Sequence, residues 1–198
     1  GTTDWASPEV TTAIDYFDRM LDYVNQDWAA LFWVEAADMV LDGTAAMHVN
    51  GDWAHGYLLA RGWTPGVDYG WIPVPGTGGA FQVLSDSFGL PKDAPERHVA
   101  VAWLRMIGSR EGQDAFNPIK GSIPARLDAD RTLYDVYLVS AMDDFARDAL
   151  VPSMMHGAAA SPAWMDDIIA AVGFFAADRD GVALQRALVN AATDALGD

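Results

Sequence analysis

Apolar and polar residues alternate along this chain mainly at helical spacing. Val10, Ile14, Phe17, Leu21 and Val24 recur three or four apart behind Ser7 and Pro8, a capping residue and a first-turn proline, so a helix is predicted there. A second helix is expected over VEAADMVLD, with Trp33, Ala37, Val40 and Leu41 on one face and Gly43 as its stop. TAAMHV then reads as a buried strand, NGDW as the turn at its carboxyl end, WAHGYLLARG as a short helix, and YGWIPVPG as a second strand closed by Pro75 and Gly76. GAFQVLSDSFGLPK reads as two short strand pieces interrupted near Asp86. Asp93 and Glu96 form a capping-box pattern ahead of a helix with a stripe of Val99, Trp103, Met106 and Ile107. REGQDAFN is a further helix that leads into a loop carrying Lys120.

Residues 138–148 read as a polar helical stretch, followed by a loop, VPSMMHGAAASP. Two last helices are capped by Ser161 and Asp180, with Ile168, Val172 and Phe175, then Leu184, Leu188 and Ala191, directed inward. The sequence contains no repeat, low-complexity tract or flexible linker. Strands alternating with helices point to an α/β architecture, here a short mixed sheet flanked by helices. In open α/β sheets ligands gather beyond the carboxyl ends of strands, which is where NGDW and the interruption at Asp86 fall.

Composition narrows the function classes. With 198 residues, 51% of them hydrophobic and 20% charged, the chain suffices for one domain with a substantial core, or for a lobe of something larger. No apolar run approaches the roughly 20 residues of a membrane span. The first helix follows with no basic, apolar leader before it, which reads as a processed or truncated start. A net charge of −16 argues against a nucleic-acid partner, because phosphates are repelled. The acidity reads as a solubilising surface, since no clustered carboxylate pocket for a cationic ligand is evident. The absence of cysteine suits an exported protein without disulfides and many cytosolic proteins equally, so it does not fix the compartment.

Candidate chemistry concentrates in LSDSFGLPK and NPIKGSIPAR. They place a carboxylate, Asp86, and one of only two lysines, Lys120, in Gly-, Ser- and Pro-rich sequence, where neither has an evident helical partner. Charges in loops between packed elements are candidates for ligand contacts. Together with eight tryptophans they suggest a polyhydroxylated guest. A carboxylate accepts from two hydroxyls and an ammonium donates three bonds, so the pair suits such a guest.

The order VLDGTAAMHVNGDW, YGWIPVPG, LSDSFGLPK, WLRMIGSREGQDAFN and KGSIPAR resembles the extracellular solute-binding proteins of ABC sugar importers, more narrowly the glucose/mannose-binding type. The resemblance covers nearly the whole chain and corresponds to the C-terminal half of such a protein. It implies a periplasmic-binding-protein-like (type II) lobe, with residues 80–125 carrying crossover segments towards the other lobe. Residue by residue it implies sugar contacts at Trp53, which stacks on the ring, at Trp33, Asp86 and Lys120, and at His156 in MMHGA. It further implies a monosaccharide as ligand, transmembrane permease subunits as partners, a monomer, a periplasmic or extracellular and membrane-associated setting, and no cofactor or metal.

Plainer readings stand beside these roles. Trp53 opens its helix and is compatible with a core position, Trp33 lies on an apolar stripe, Asp86 suits a turn beside serine, and Lys120 suits a solvated loop. His156 also fits a satisfied interior position, while His48 and His98 read as structural. Catalysis has weaker support. No G-x-S-x-G elbow accompanies a triad drawn from Asp86, His156 and a serine, only one carboxylate is placed for glycoside hydrolysis, and the histidines lack zinc-ligand spacing. GTGG lacks the Lys-Ser/Thr of a phosphate loop. A sugar-sensing receptor of the same fold is the alternative to delivery, and a carbohydrate-active hydrolase the more distant one.

Overall fold

A computed structural model describes residues 3–197, and the architecture is α/β, rich in helix with a small sheet. The chain divides into two compact units, one made of Gly1–Ala36 with Pro152–Asp198 and the other of Ala37–Val151. Among the described residues no helix is long and apolar enough to cross a membrane.

The first unit holds α1 (Pro8–Met20), the start of α2 (Trp33–Leu41), α7 (Pro162–Asp178) and α8 (Gly181–Leu196). Its core is the set of stripes visible in the sequence. Ile14 and Leu21 from the first helical region meet Ile168, Phe175, Leu184, Leu188 and Ala191, with Phe17 stacked on Phe175 at 5.5 Å. Ser161 and Asp180 cap α7 and α8 as expected, each side chain accepting from the amide three residues on. Ser7 stands at the N-cap of α1 without a side-chain capping bond. The N-terminal segment is fastened from α8, where Gln185 Nε2 donates to the carbonyls of Trp5 and Ser7.

The second unit contains α3 (Asp52–Ala60), β1 (Ala80–Val83), α4 (Arg97–Ile107), α5 (Arg110–Lys120), α6 (Val136–Arg147) and most of β2 (Ala149–Pro152), which pairs with β1. Tyr57 of α3 and Arg61, which follows its last residue, both donate to Asp38 of α2, at 2.6 and 2.7 Å, and these bonds hold the Asp38 carboxyl below its usual range. Gly56 is where α3 meets the end of α5, since a Cβ there would lie 2.0 Å from the Lys120 carbonyl oxygen. Gly121, at φ +82°, closes α5 in a left-handed cap that faces Gly56 in turn.

Several expected elements differ. TAAMHV and YGWIPVPG form no strand, and of the two pieces expected around Asp86 only the first, β1, does. A strand needs a neighbour for its amides and carbonyls, and among the described residues the only sheet is the β1–β2 pair. Met47, Val49, Ile72 and Val74 accordingly stay exposed. The capping box at Asp93 does not form either, because α4 begins only after Glu96, which makes no capping bond through its side chain.

Candidate functional site

Lys120 is not a loop residue. The helix begun by REGQDAFN runs on through Pro118 and ends at Lys120, so the ammonium belongs to the last turn, where a cation complements the helix dipole. Asn117 fixes that end. Its side-chain amide donates to Gln113 Oε1, and it accepts from Ser122 Oγ at 2.9 Å, folding the KGSIPAR segment back on α5. From this platform Lys120 Nζ reaches Asp86 Oδ2 at 3.0 Å. The structure therefore joins the two charges that the sequence singled out.

The pair is open to solvent, with the Asp86 side chain 66% exposed and that of Lys120 31%. Ion pairs this exposed contribute only about 0–1 kcal/mol to stability, so a holding role in the fold does not account for it. Trp53 is carried on the α3 turn that precedes the Gly56 contact with Lys120, and its six-membered ring lies over Gly51, where a Cβ would fall 2.2–2.7 Å from three ring carbons. The indole is thus placed by a residue without a side chain. Asp86, Lys120 and Trp53 all belong to the second unit.

Two groups on α3 gave no signal in the sequence reading. Asp52, its first residue, is half-buried, and burial raises its pKa; Lys120 pulls that value down, Asp86 pushes it up, and the amides of Trp53 and Asp52 favour the charged form. His55 is almost fully buried, with Nδ1 2.5 Å from the Tyr69 hydroxyl and Nε2 3.1 Å from Asp135 Oδ2, the latter out of line for a hydrogen bond. Desolvation lowers its pKa against the opposing pull of Asp135, so its neutral form is favoured. Its ring packs on Tyr137 of α6 at 4.3 Å, and Trp71 meets Tyr137 edge-on at 5.4 Å. Burial, then Asp52 and Asp135, pushes the Tyr137 phenol up to about 12. The spacing of His55 and Leu58 on one helix face was the available sign that this histidine points inward.

Trp33 and His156 belong to the first unit. Trp33 opens α2 beside Phe32, with ring centroids 6.2 Å apart. His156 is exposed, and its Nδ1 lies 2.7 Å from Ser153 Oγ. Ser153 itself is 1% exposed, which leaves no surface for a substrate to reach a serine nucleophile. Trp63 stacks near Tyr69 at 6.3 Å, and Trp71 donates to Ser140, so both of these tryptophans have packing roles.

Comparison with known proteins gives a consistent likeness. The bacterial extracellular solute-binding protein family matches over residues 1–153. An uncharacterised ABC transporter extracellular-binding protein of Pyrococcus horikoshii is 39% identical over 186 residues, covering 93% of this chain and 42% of that protein. The xylose/arabinose-binding protein XacG of Haloferax volcanii is 32% identical over 73% of this chain and 32% of its own length. A "probable sugar-binding periplasmic protein" of Brucella suis is 34% identical over 76% of this chain and 37% of its own. The chain spans less than half the length of each of these relatives.

Proposed function

Because the chain belongs to the bacterial extracellular solute-binding protein family, we propose that it is the C-terminal portion of a two-lobed sugar-binding protein of an ABC importer. The ligand is a monosaccharide of the glucose or mannose type, and the partner that receives it is the importer's transmembrane permease, outside the cytoplasm. Residues 80–125 carry the crossover segments towards the other lobe. The names of the Haloferax and Brucella relatives support a sugar ligand. The observation that carries the reading is the Lys120–Asp86 pair at 3.0 Å, on an α5 terminus that α3 approaches through Gly56, one turn from Trp53.

The chemistry of that arrangement is holding. Asp86 retains acceptor capacity beyond Lys120, the ammonium retains donors beyond Asp86, and an indole face packs against the C–H face of a pyranose. Each hydrogen bond to a charged group contributes about 1.5–3 kcal/mol, and an analogue that lacks a hydroxyl leaves a charge unpaired. The expected roles of Trp33 and His156 rest on the resemblance and are tested in the same way. Calorimetric titration of the full-length gene product with a panel of mono- and disaccharides, repeated for Asp86→Ala and Lys120→Ala, tests the reading. Each substitution is expected to weaken binding at least tenfold, the equivalent of about 1.4 kcal/mol. A wild type that binds no sugar, or variants that bind as wild type, would sink it.

A further inference from the structure

We propose that Asp52 is a third polar group of this sugar site, accepting a ligand hydroxyl next to the Trp53 platform and so setting which hydroxyl the site requires. The inference rests on the sugar-binding reading and goes beyond it, since neither the sequence pattern nor the family likeness singled out this residue. Its basis is geometric. Asp52 and Gly56 are four apart and share a face of α3, and at Gly56 that face meets the Lys120 carbonyl so closely that a Cβ would lie 2.0 Å from its oxygen. One turn earlier on this face stands the Asp52 carboxyl. The charged and titratable groups that act on it are Lys120 from the end of α5, Asp86 from the loop after β1, and Tyr137 from α6.

The surroundings leave Asp52 with capacity to spare. Lys120 Nζ is paired with Asp86 Oδ2 and acts on Asp52 by charge alone, since among the described residues no salt bridge joins Asp52 to a cation. Amides at the start of α3 favour its charged form, but they fill only part of a carboxylate that offers about four acceptor positions. Burial of this carboxylate is costly even with the helix-start amides beside it, since desolvation is the largest influence on its pKa and raises it. The cost is consistent with a group kept for a donor that arrives with the ligand. With Lys120 and Asp86, the site then presents one ammonium and two carboxylates. That set is rich in acceptors, and it matches a rim of hydroxyls that can each donate as well as accept.

The test is titration calorimetry on the full-length gene product with D-glucose, D-mannose and D-xylose, and with monodeoxy derivatives of whichever binds. It compares wild type with Asp52→Asn and Asp52→Ser, both of which keep a side chain suited to a helix start. Thermal unfolding is followed in parallel. Asp52→Asn is expected to weaken the parent sugar about tenfold or more, as loss of a bond to a charged acceptor implies, yet to bind one deoxy derivative as wild type does. The melting temperature is expected to stay level or rise, because a desolvated charge has been removed. Equal affinities in variant and wild type, or a uniform loss across the parent and every deoxy derivative, would show that Asp52 only supports the helix. A wild type that binds none of the three sugars overturns the sugar-binding reading and this inference together. Loss on Lys120→Ala with both Asp52 variants unaffected overturns this inference alone.

Discussion

The missing side chain of Gly51 leaves room for the indole of Trp53. Alanine at position 51 would put its methyl 2.2–2.7 Å from three ring carbons, so the ring has to move. Gly51→Ala is therefore expected to weaken sugar binding about three- to tenfold, the value of one aromatic contact, with the circular dichroism spectrum unchanged. Titration beside wild type decides it, and equal affinities would remove Trp53 from the site. His55 makes a second argument at this scale. Its folded pKa is depressed by desolvation, so between that pKa and the unfolded value near 6.5 the unfolded chain binds more protons than the folded one. Stability from this group is present above about 6.5 and is lost as pH falls through the window. His48 acts in the same direction through its own burial, while Asp52, with a raised pKa, acts in the opposite one at lower pH. Urea midpoints at pH values either side of the window should fall on acidification for wild type and fall less for His55→Gln. Identical pH dependence in the two proteins would contradict this account.

At the scale of elements, what was legible in the sequence is what local chemistry determines. The α7 and α8 stripes, with Ser161 and Asp180 as caps, needed only neighbours within a turn and the pairing of two consecutive helices. Phe175, 1% exposed and stacked on Phe17, is the central residue of that packing. Phe175→Ala should cost about 3–5 kcal/mol in denaturant unfolding, and a loss below about 1 kcal/mol would mean that the core lies elsewhere. Strands depend on a partner distant in sequence, and neither the apolar residues of TAAMHV nor those of YGWIPVPG reveal whether one is present. Lys120 reads as a loop residue for a different reason. Pro118 and Gly121 look like loop punctuation, yet the proline is tolerated within α5 and the glycine is its left-handed cap. Asp86 and Lys120 were legible as unusual charges, whereas Asp52 and His55 were not, because burial and the Gly56 seam are products of tertiary packing.

On the proposed reading, the full-length protein adds what the residues of the second unit do not supply by themselves, which is exclusion of water. Asp86 is two-thirds exposed and Lys120 one-third, and a hydroxyl that approaches them competes with solvent for every bond. In water such exchanges nearly cancel, and they gain value only in a site of low effective dielectric. Lobe closure around a ligand provides that environment in two-lobed binding proteins, and the chain spans 42% of its Pyrococcus relative. Tryptophan fluorescence separates the possibilities, since Trp53 stands on the α3 turn next to the charges and reports a change in its surroundings. Titrated with D-glucose, the 198-residue chain should show little change, while the full-length gene product should show a clear, saturable one. The contrast follows from the openness of the Lys120–Asp86 pair, which a second lobe would close off from water under the proposed reading. A full response from the 198-residue chain would show that its own residues exclude enough water, and the second wall would then be unnecessary for binding.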